Sequence, residues 1–286
     1  MPGCRSRCLR HFVTKFPRAA RYHRCTLSET PLVVIERRDH IATIALNRPS
    51  KRNALNDALL RQLLDAMVQV ESDLSIRVLI LRGEGSSFCS GVDLGEKLAD
   101  RGTQGAVEFD LLLEAFERLD RLPQPTIAVL QGTSLAGGWE LALHCDIRFA
   151  APGARFGMPL VRLGLVVPYP AAVRLIQIAG AAAAADLLLS ASLIDGTRAH
   201  ALNLVTHLAD AGQLDAAALT HAAVIASLAP MAVRETKRLL RHALPTPEAS
   251  LYADFDQARR RITASADTEE GLKAFLERRA PVFHDR

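Results

Sequence analysis

Two glycine-rich stretches hold the residues best suited to chemistry. Residues 83–94 include Gly83, Gly85, Ser90, Gly91, Val92, Asp93 and Leu94. Residues 131–142 include Gly132, Ser134, Gly137, Gly138, Trp139 and Glu140. Each stretch follows a β-rich run and leads into a helix. The helix start therefore presents backbone N–H groups with no partner inside the helix. Glycine also lets a ligand come close to the main chain. One such loop suits an anion. Two loops from neighbouring strands suit a pair of N–H donors aimed at a single oxygen, the geometry of an oxyanion hole. The plainer alternative is that these glycines only make tight turns and close packing. Glu140 falls in the first turns of the second helix, near the same pocket mouth. Burial beside Trp139 is expected to raise its pKa towards a range useful for proton transfer; the plainer alternative is a solvent-facing helix glutamate.

Rival chemistries fit less well. Gly83-x-Gly85 follows a strand, but Phe88 stands where a dinucleotide fingerprint needs its third glycine. Gly132-Thr133-Ser134-Leu135-Ala136 resembles a serine nucleophile elbow with Ala136 in place of glycine. Asp195 with His207 or His221 would complete a triad in the right chain order. Cys89 and Cys145 are expected to be buried packing residues, and His144 a structural one. No CxxC pair, and no paired histidines with a third ligand, suggests zinc.

The elements that must position these residues alternate in type. β-rich runs at residues 32–37 and 41–46 flank Asp39-His40, which reads as a hairpin turn. A helix follows, with Leu59, Leu60, Leu63, Leu64, Met67 and Val68 on one face. Residues 78–81 and 126–130 read as buried strands. A helix from Gln104 to Leu122 lies between them. Strands alternating with helices imply an α/β sheet with parallel pairing. After about residue 212 only helical patterns remain, over 214–228, 230–242, 248–264 and 267–279, punctuated by Pro230, Pro245, Pro247 and Pro281. The expected division is a basic leader (1–28), an α/β core (29–212) and a helical segment (213–286).

Composition limits the function classes. The chain has 286 residues, 49% hydrophobic and 23% charged, which is ordinary for a globular protein. Aromatics are only 5%, so aliphatic side chains must fill the core. No apolar run approaches the ~18 residues of a membrane span. The net charge of +4 comes from the leader, which holds seven Lys or Arg and no acid; without those seven the balance is −3. That argues against nucleic acid as a partner. The leader has the composition of an organelle transit peptide. A basic tail, or upstream sequence from a wrong start site, would look the same. Three of the five cysteines (Cys4, Cys8, Cys25) lie there, so the body has no disulfide framework. A cytoplasmic location is expected, or the mitochondrial matrix if the leader is a transit peptide.

Several motifs, taken in order, resemble the crotonase superfamily of enoyl-CoA hydratases and isomerases. They are Ile44-Ala45-Leu46-Asn47-Arg48-Pro49 with Arg52-Asn53-Ala54-Leu55, Phe88-Cys89-Ser90-Gly91-Val92-Asp93-Leu94, Ala136-Gly137-Gly138-Trp139-Glu140-Leu141-Ala142 with Cys145-Asp146, Phe156-Gly157-x-Pro159, Leu163-Gly164-Leu165, and the helix from Gly271 to Arg279. The resemblance implies a spiral of ββα units with a helical trimerisation segment, assembled as a homotrimer or homohexamer. It also implies an acyl-CoA substrate, with coenzyme A present only as part of that substrate and no separate cofactor or metal.

Carried over by position, the oxyanion donors are the N–H groups of Val92 and Gly137, and Glu140 is the acid/base. Arg52, Ala54, Ser90, Gly91, Asp93, Leu94, Leu160 and Tyr169 complete the substrate-contacting set. Tyr169 is a candidate second polar group, with packing as its alternative. Asp93 is a weaker candidate, more suited to capping its helix. Lys51 and Arg52 are candidates for CoA phosphates or a solvated loop pair. Lys273, Phe275, Arg278 and Arg279 lie on the last helix, which in the family often completes a neighbour's site.

The chain departs from the hydratase pattern after Pro159, where Leu160 replaces the second glutamate. Leucine cannot transfer a proton or hold a water, so two-carboxylate hydration is not expected. Enolate chemistry with one glutamate remains, by isomerisation, decarboxylation or thioester hydrolysis. A non-catalytic acyl-CoA binding protein is the alternative from a different class.

Overall fold

The computed structural model describes residues 30–99, 110–243 and 249–285. The leader, and the first part of the helix expected from Gln104, lie outside them. Strands β1 (Val33–Arg38) and β2 (Ile41–Leu46) form an antiparallel hairpin, with Asp39 at a φ of 52° in its turn. Helix α1 (Asp57–Ser72) follows. The Asn56 side chain caps it by accepting from the Leu59 N–H at 2.9 Å. Its buried face is Leu59, Leu60, Leu63, Leu64, Ala66, Met67 and Val70, whereas Val68 points outward. Val68 is off the stripe because 3.6-residue periodicity brings Met67 and Val70 round to the sheet instead.

The chain then lays down β3 (Val78–Gly83), the short α2 (Leu94–Ala99), α3 (Asp110–Arg121) and β4 (Thr126–Leu130). Next come β5 (Thr133–Leu135), α4 (Gly137–Leu143), β6 (Ile147–Ala150), β7 (Arg155–Gly157), α5 (Tyr169–Ala179), α6 (Ala181–Ser190), β8 (Ile194–Asp195), α7 (Gly196–Ala201) and β9 (His207–Leu208). Six strands make the main sheet in the order β1-β2-β3-β4-β6-β9, parallel from β2 onward. β5, β7 and β8 make a second, three-stranded sheet. Every residue of β4 is buried, as a strand covered on both faces requires.

Four helices close the chain: α8 (Leu214–Ser227), α9 (Pro230–Ala243), α10 (Ala249–Thr263) and α11 (Ala266–Glu277). They belong to the same compact unit as the sheets, which starts at Pro31. α9 is pinned by charge. Buried Lys237 donates to the Gln124 carbonyl and to Asp146, both at 2.8 Å. Arg241 donates to Asp146 at 2.8 Å and also reaches Asp120. Among the described residues, no single helix is long and apolar enough to cross a membrane.

Candidate active site

The two glycine-rich loops are laced together at the ends of β3 and β4. Cys89 and Ser134 form a parallel bridge: the Cys89 N–H donates to the Thr133 carbonyl at 3.2 Å, and the Leu135 N–H to the Cys89 carbonyl at 3.0 Å. A second bridge ties Leu55 to Val92 through the Gly91 carbonyl (2.8 Å) and the Asp93 N–H (2.9 Å). Because that bridge uses Gly91 and Asp93, the intervening Val92 N–H faces away from Leu55. Gly91 has a φ of 96°, and a Cβ there would lie 3.0 Å from the Leu135 carbonyl oxygen and 3.6 Å from the Gly137 nitrogen. Only glycine allows this approach, which sets Val92 and Gly137 side by side. Ala136 enters α4 at a φ of 46°, a strained conformation for a residue with a Cβ. Gly137 is thereby the first residue of α4, where an N–H has no intrahelical acceptor. Neither the Val92 nor the Gly137 N–H finds an acceptor among the described residues.

Both residues line a cavity of about 680 Å3. Glu140 lines it too, from the first turn of α4. It is only 3% exposed, and its chain neighbour Trp139 is buried against Phe156, with ring centroids 4.6 Å apart and tilted by 35°. The Oε1 atom is buried with no hydrogen-bond partner. Burial without a compensating cation pushes the carboxyl from 4.5 up to about 8. Asp93 also lines the cavity, but its carboxylate is committed. Oδ2 accepts from Arg48 at 3.2 Å, and Oδ1 caps the Glu96 N–H at 3.3 Å. Leu160, in a 3-10 turn over Leu160–Leu163, presents an apolar side chain to the same space.

The other expected residues divide in two. Lys51, Arg52, Ala54, Ser90 and Leu94 line the cavity. Ser90 is held by its N–H donating to the Arg52 carbonyl at 3.0 Å. Gly91 acts from behind, as the spacer between the loops. Tyr169 does not line this cavity: its ring stacks on Phe255 at 4.8 Å and 8°, the packing alternative. Phe275 and Arg278 line the cavity of their own chain. Arg279 lies outside it, bonded to Glu270 at 2.8 Å.

The serine-hydrolase arrangement is not assembled. Ser134 is buried on β5, outside the cavity, with its hydroxyl unpartnered. Asp195 caps α7 by accepting from the Arg198 N–H at 2.7 Å, and His207 and His221 contact Phe149 and each other. Cys89 and Cys145 are free and buried, and burial pushes both thiols up to about 12. No group of three or more His, Cys, Asp or Glu among the described residues is placed to hold a metal.

Several site residues escaped the sequence reading. Arg48 holds the first loop, donating to the Ala54 carbonyl (2.7 Å), Asp93 (3.2 Å) and Glu96 (2.7 Å). Buried Asn53 donates to the Glu84 and Ser87 carbonyls at 2.9 and 2.8 Å. Both stand in the N-terminal signature, so their positions carried a signal but their roles did not. Leu112, Leu113 and Phe116 from α3, and Arg259 and Thr263 from α10, also line the cavity. Together the arrangement is an apolar chamber with two amide donors, one uncommitted carboxyl and a set of cations (Lys51, Arg52, Arg259 and Arg278).

Comparison with known proteins agrees with this arrangement. The profile of the enoyl-CoA hydratase/isomerase family matches residues 36–286. The chain is 34% identical to enoyl-CoA hydratase EchA19 of Mycobacterium tuberculosis, over 91% of this chain and 99% of that protein. It is 34% identical to 2,3-dehydroadipyl-CoA hydratase of Escherichia coli, over 89% and 99%. Among solved structures it resembles a methylmalonyl-CoA decarboxylase in complex with 2-nitronate-propionyl-CoA, with a TM-score of 0.81 and 27% identity over 89% and 99% of the two chains. It also resembles an enoyl-CoA hydratase/carnithine racemase from Magnetospirillum magneticum, with a TM-score of 0.71 and 34% identity over 90% and 97%. These likenesses establish the crotonase-like fold expected from the motifs.

Proposed function

The chain belongs to the enoyl-CoA hydratase/isomerase family, and from that membership we propose that it binds an acyl-CoA thioester, holds the enolate oxygen on the Val92 and Gly137 N–H groups, and moves one proton with Glu140. The observation that carries this reading is the buried, unpartnered Oε1 of Glu140, the only uncommitted carboxyl among the described residues lining the cavity. An enolate concentrates charge on the thioester oxygen, and fixed amide donors stabilise it more than the ground-state carbonyl. In double-bond isomerisation, the Glu140 carboxylate takes a proton from the carbon next to the thioester. The electron pair spreads into a dienolate, and the same carboxyl returns the proton two carbons further along. Leu160 offers nothing to activate a water, so hydration is slow. The cations beside the cavity suit the phosphates of coenzyme A, which enters only as part of the substrate.

Decarboxylation is the second reading, favoured by the raised Glu140 pKa and the likeness to methylmalonyl-CoA decarboxylase. A neutral carboxyl does not repel a substrate carboxylate. Loss of CO2 leaves its electron pair in the enolate, and Glu140 then donates the proton to carbon. A pH–rate profile separates the two. Isomerisation needs the carboxylate first, so kcat/KM rises with pH up to about 8; decarboxylation needs the acid, so it falls above about 8. The deciding experiment screens CoA esters for hydration, isomerisation, decarboxylation and CoA release. Glu140→Gln should lose turnover by ~10²–10⁴-fold while still binding the ester. Unchanged turnover in that variant, or tight binding by the wild type without any reaction, would overturn the proposal. A homo-oligomer, trimer or hexamer, is part of it. Exposed Val224, Leu228, Met231, Leu239 and Leu240 on α8, α9 and the turn between them supply apolar surface for a second copy.

A further inference from the structure

Phe116 and His144 stand between two cavities. Phe116 is 2% exposed and lines the cavity that holds Glu140. His144 is 5% exposed and lines a second cavity of about 670 Å3 on its other side. The two rings stack with centroids 5.0 Å apart and 6° between their planes. Their places follow from the helices. Leu112 of α3 lies against Gly137 of α4, where a Cβ would be 3.3 Å from its Cδ2. Phe116 follows Leu112 by four residues and His144 follows Glu140 by four. The stacked pair therefore sits about one helical turn, ~5.4 Å, beyond the reacting centre.

The far ring is fixed in turn. His144 Nδ1 lies 2.7 Å from an Asp120 carboxylate oxygen. Asp120 also accepts from Arg174 at 2.6 Å and from Arg241. Burial alone would raise the Asp120 pKa, but the bond to His144 and the two guanidinium groups outweigh it and hold the carboxyl below its usual range.

We propose that Phe116 is the end wall of the acyl site, that this chain therefore takes short acyl groups, and that His144 is a positioning residue which keeps the wall in place. The proposal rests on the acyl-CoA reading given above. A chain that runs past Glu140 towards α3 meets an aromatic face backed by a second ring and an ion cluster, and that second ring lines the second cavity.

The test measures affinity for crotonyl-, hexenoyl-, octenoyl- and decenoyl-CoA, and kcat/KM for isomerisation of the 3-enoyl esters of the same four lengths, with free CoA as the reference ligand. The wild type is expected to fall by at least about tenfold between the shortest and longest esters, the scale on which apolar pockets discriminate chain length. Phe116→Ala should abolish that fall without changing the affinity for free CoA, and Phe116→Leu should lie between. His144→Ala should relax the fall in part, because Phe116 can then swing into the vacated space. His144→Phe, which keeps a stacking ring, should retain the wild-type profile. If Phe116→Ala does not fold, Phe116→Leu decides. A wild type that handles decenoyl and crotonyl esters equally would overturn the proposal. So would Phe116 variants that bind crotonyl-CoA and isomerise the shortest ester with an unaltered chain-length profile. A wild type that binds no CoA ester would instead remove the functional reading beneath it.

Discussion

Replacing Glu140 with glutamine should inactivate the protein and shift its stability relative to the wild type progressively upward as pH rises. The carboxyl is buried, with Oε1 unpartnered, and its pKa rises from 4.5 to about 8. Below pH 4.5 the group is protonated in both the folded and the unfolded chain and contributes no pH dependence. Between 4.5 and about 8 the folded protein keeps a proton that the unfolded chain releases, so stability falls as pH rises through that window. Above about 8 both forms are ionised and the loss is complete. At ~1.36 kcal/mol per pH unit the full loss is about 5 kcal/mol, and at pH 7 about 3 kcal/mol. Glutamine has nearly the same shape and does not titrate. Its buried amide protons add a cost of ~1–3 kcal/mol, which is independent of pH. The quantity to follow is therefore the difference between variant and wild type, measured by urea denaturation of ligand-free protein at fixed concentration from pH 5 to 8. The variant's advantage should grow steadily across that range. Parallel stability curves for the two proteins would refute the idea that Glu140 is held neutral by burial.

Leu160→Glu should raise the hydration of a trans-2-enoyl-CoA measurably above the wild type, by the loss of enoyl absorbance. A folded variant whose carboxylate reaches the cavity but gains nothing would show that Leu160 is not the limiting defect. Gly91→Ala should lower kcat by ~10²–10³-fold, the cost of one misplaced oxyanion donor, because its Cβ would meet the Leu135 carbonyl oxygen at 3.0 Å with φ at 96°; steady-state kinetics beside thermal unfolding separate the catalytic loss from the structural one. Cys89 and Cys145 should resist iodoacetamide in the native protein at pH 8 and react only after denaturation, since burial pushes both thiols up to about 12; mass spectrometry of the two peptides checks this.

What was legible in the chain depended on how local its cause was. The four tail helices are readable because apolar periodicity and flanking prolines sit within each segment. The Gly91 turn is readable because its glycine answers a backbone demand at that very residue, a φ of 96°. β5, β7, β8 and β9, two or three residues each, are too short to show a period-two pattern and owe their existence to pairing with distant strands. The packing partner of Tyr169 is illegible for the same reason, since only the return of α10 brings Phe255 onto its ring. Arg48 shows the converse: its place in a motif was plain, but its partners Asp93 and Glu96 become neighbours only when the first loop folds back on it. Phe275 and Arg278 depend on the path of α11 across the cavity of their own chain, which helix periodicity cannot encode.

Leu160 and the state of Glu140 are two sides of one physical arrangement. A second carboxylate at position 160 would be a polar group facing the same chamber. It would hold water there that solvates Glu140, while its own charge would oppose ionisation of Glu140, so the two carboxyls would titrate as a pair. With leucine in its place, no cavity-lining group among the described residues pairs with Oε1, and burial holds the carboxyl's pKa up at about 8. The substitution therefore does more than delete one catalytic group. On the proposed reading it also leaves Glu140 to work alone, as a proton donor or shuttle with no second carboxylate beside it. On the proposed reading, an enolate formed in this chamber takes its proton at carbon from Glu140, and Leu160 supplies no base to activate a water for addition to an enoyl thioester. The oxyanion donors are backbone groups and are indifferent to that change. On that reading the same loops serve hydration in relatives named as hydratases and proton transfer here, with the choice made by a side chain that never touches a proton.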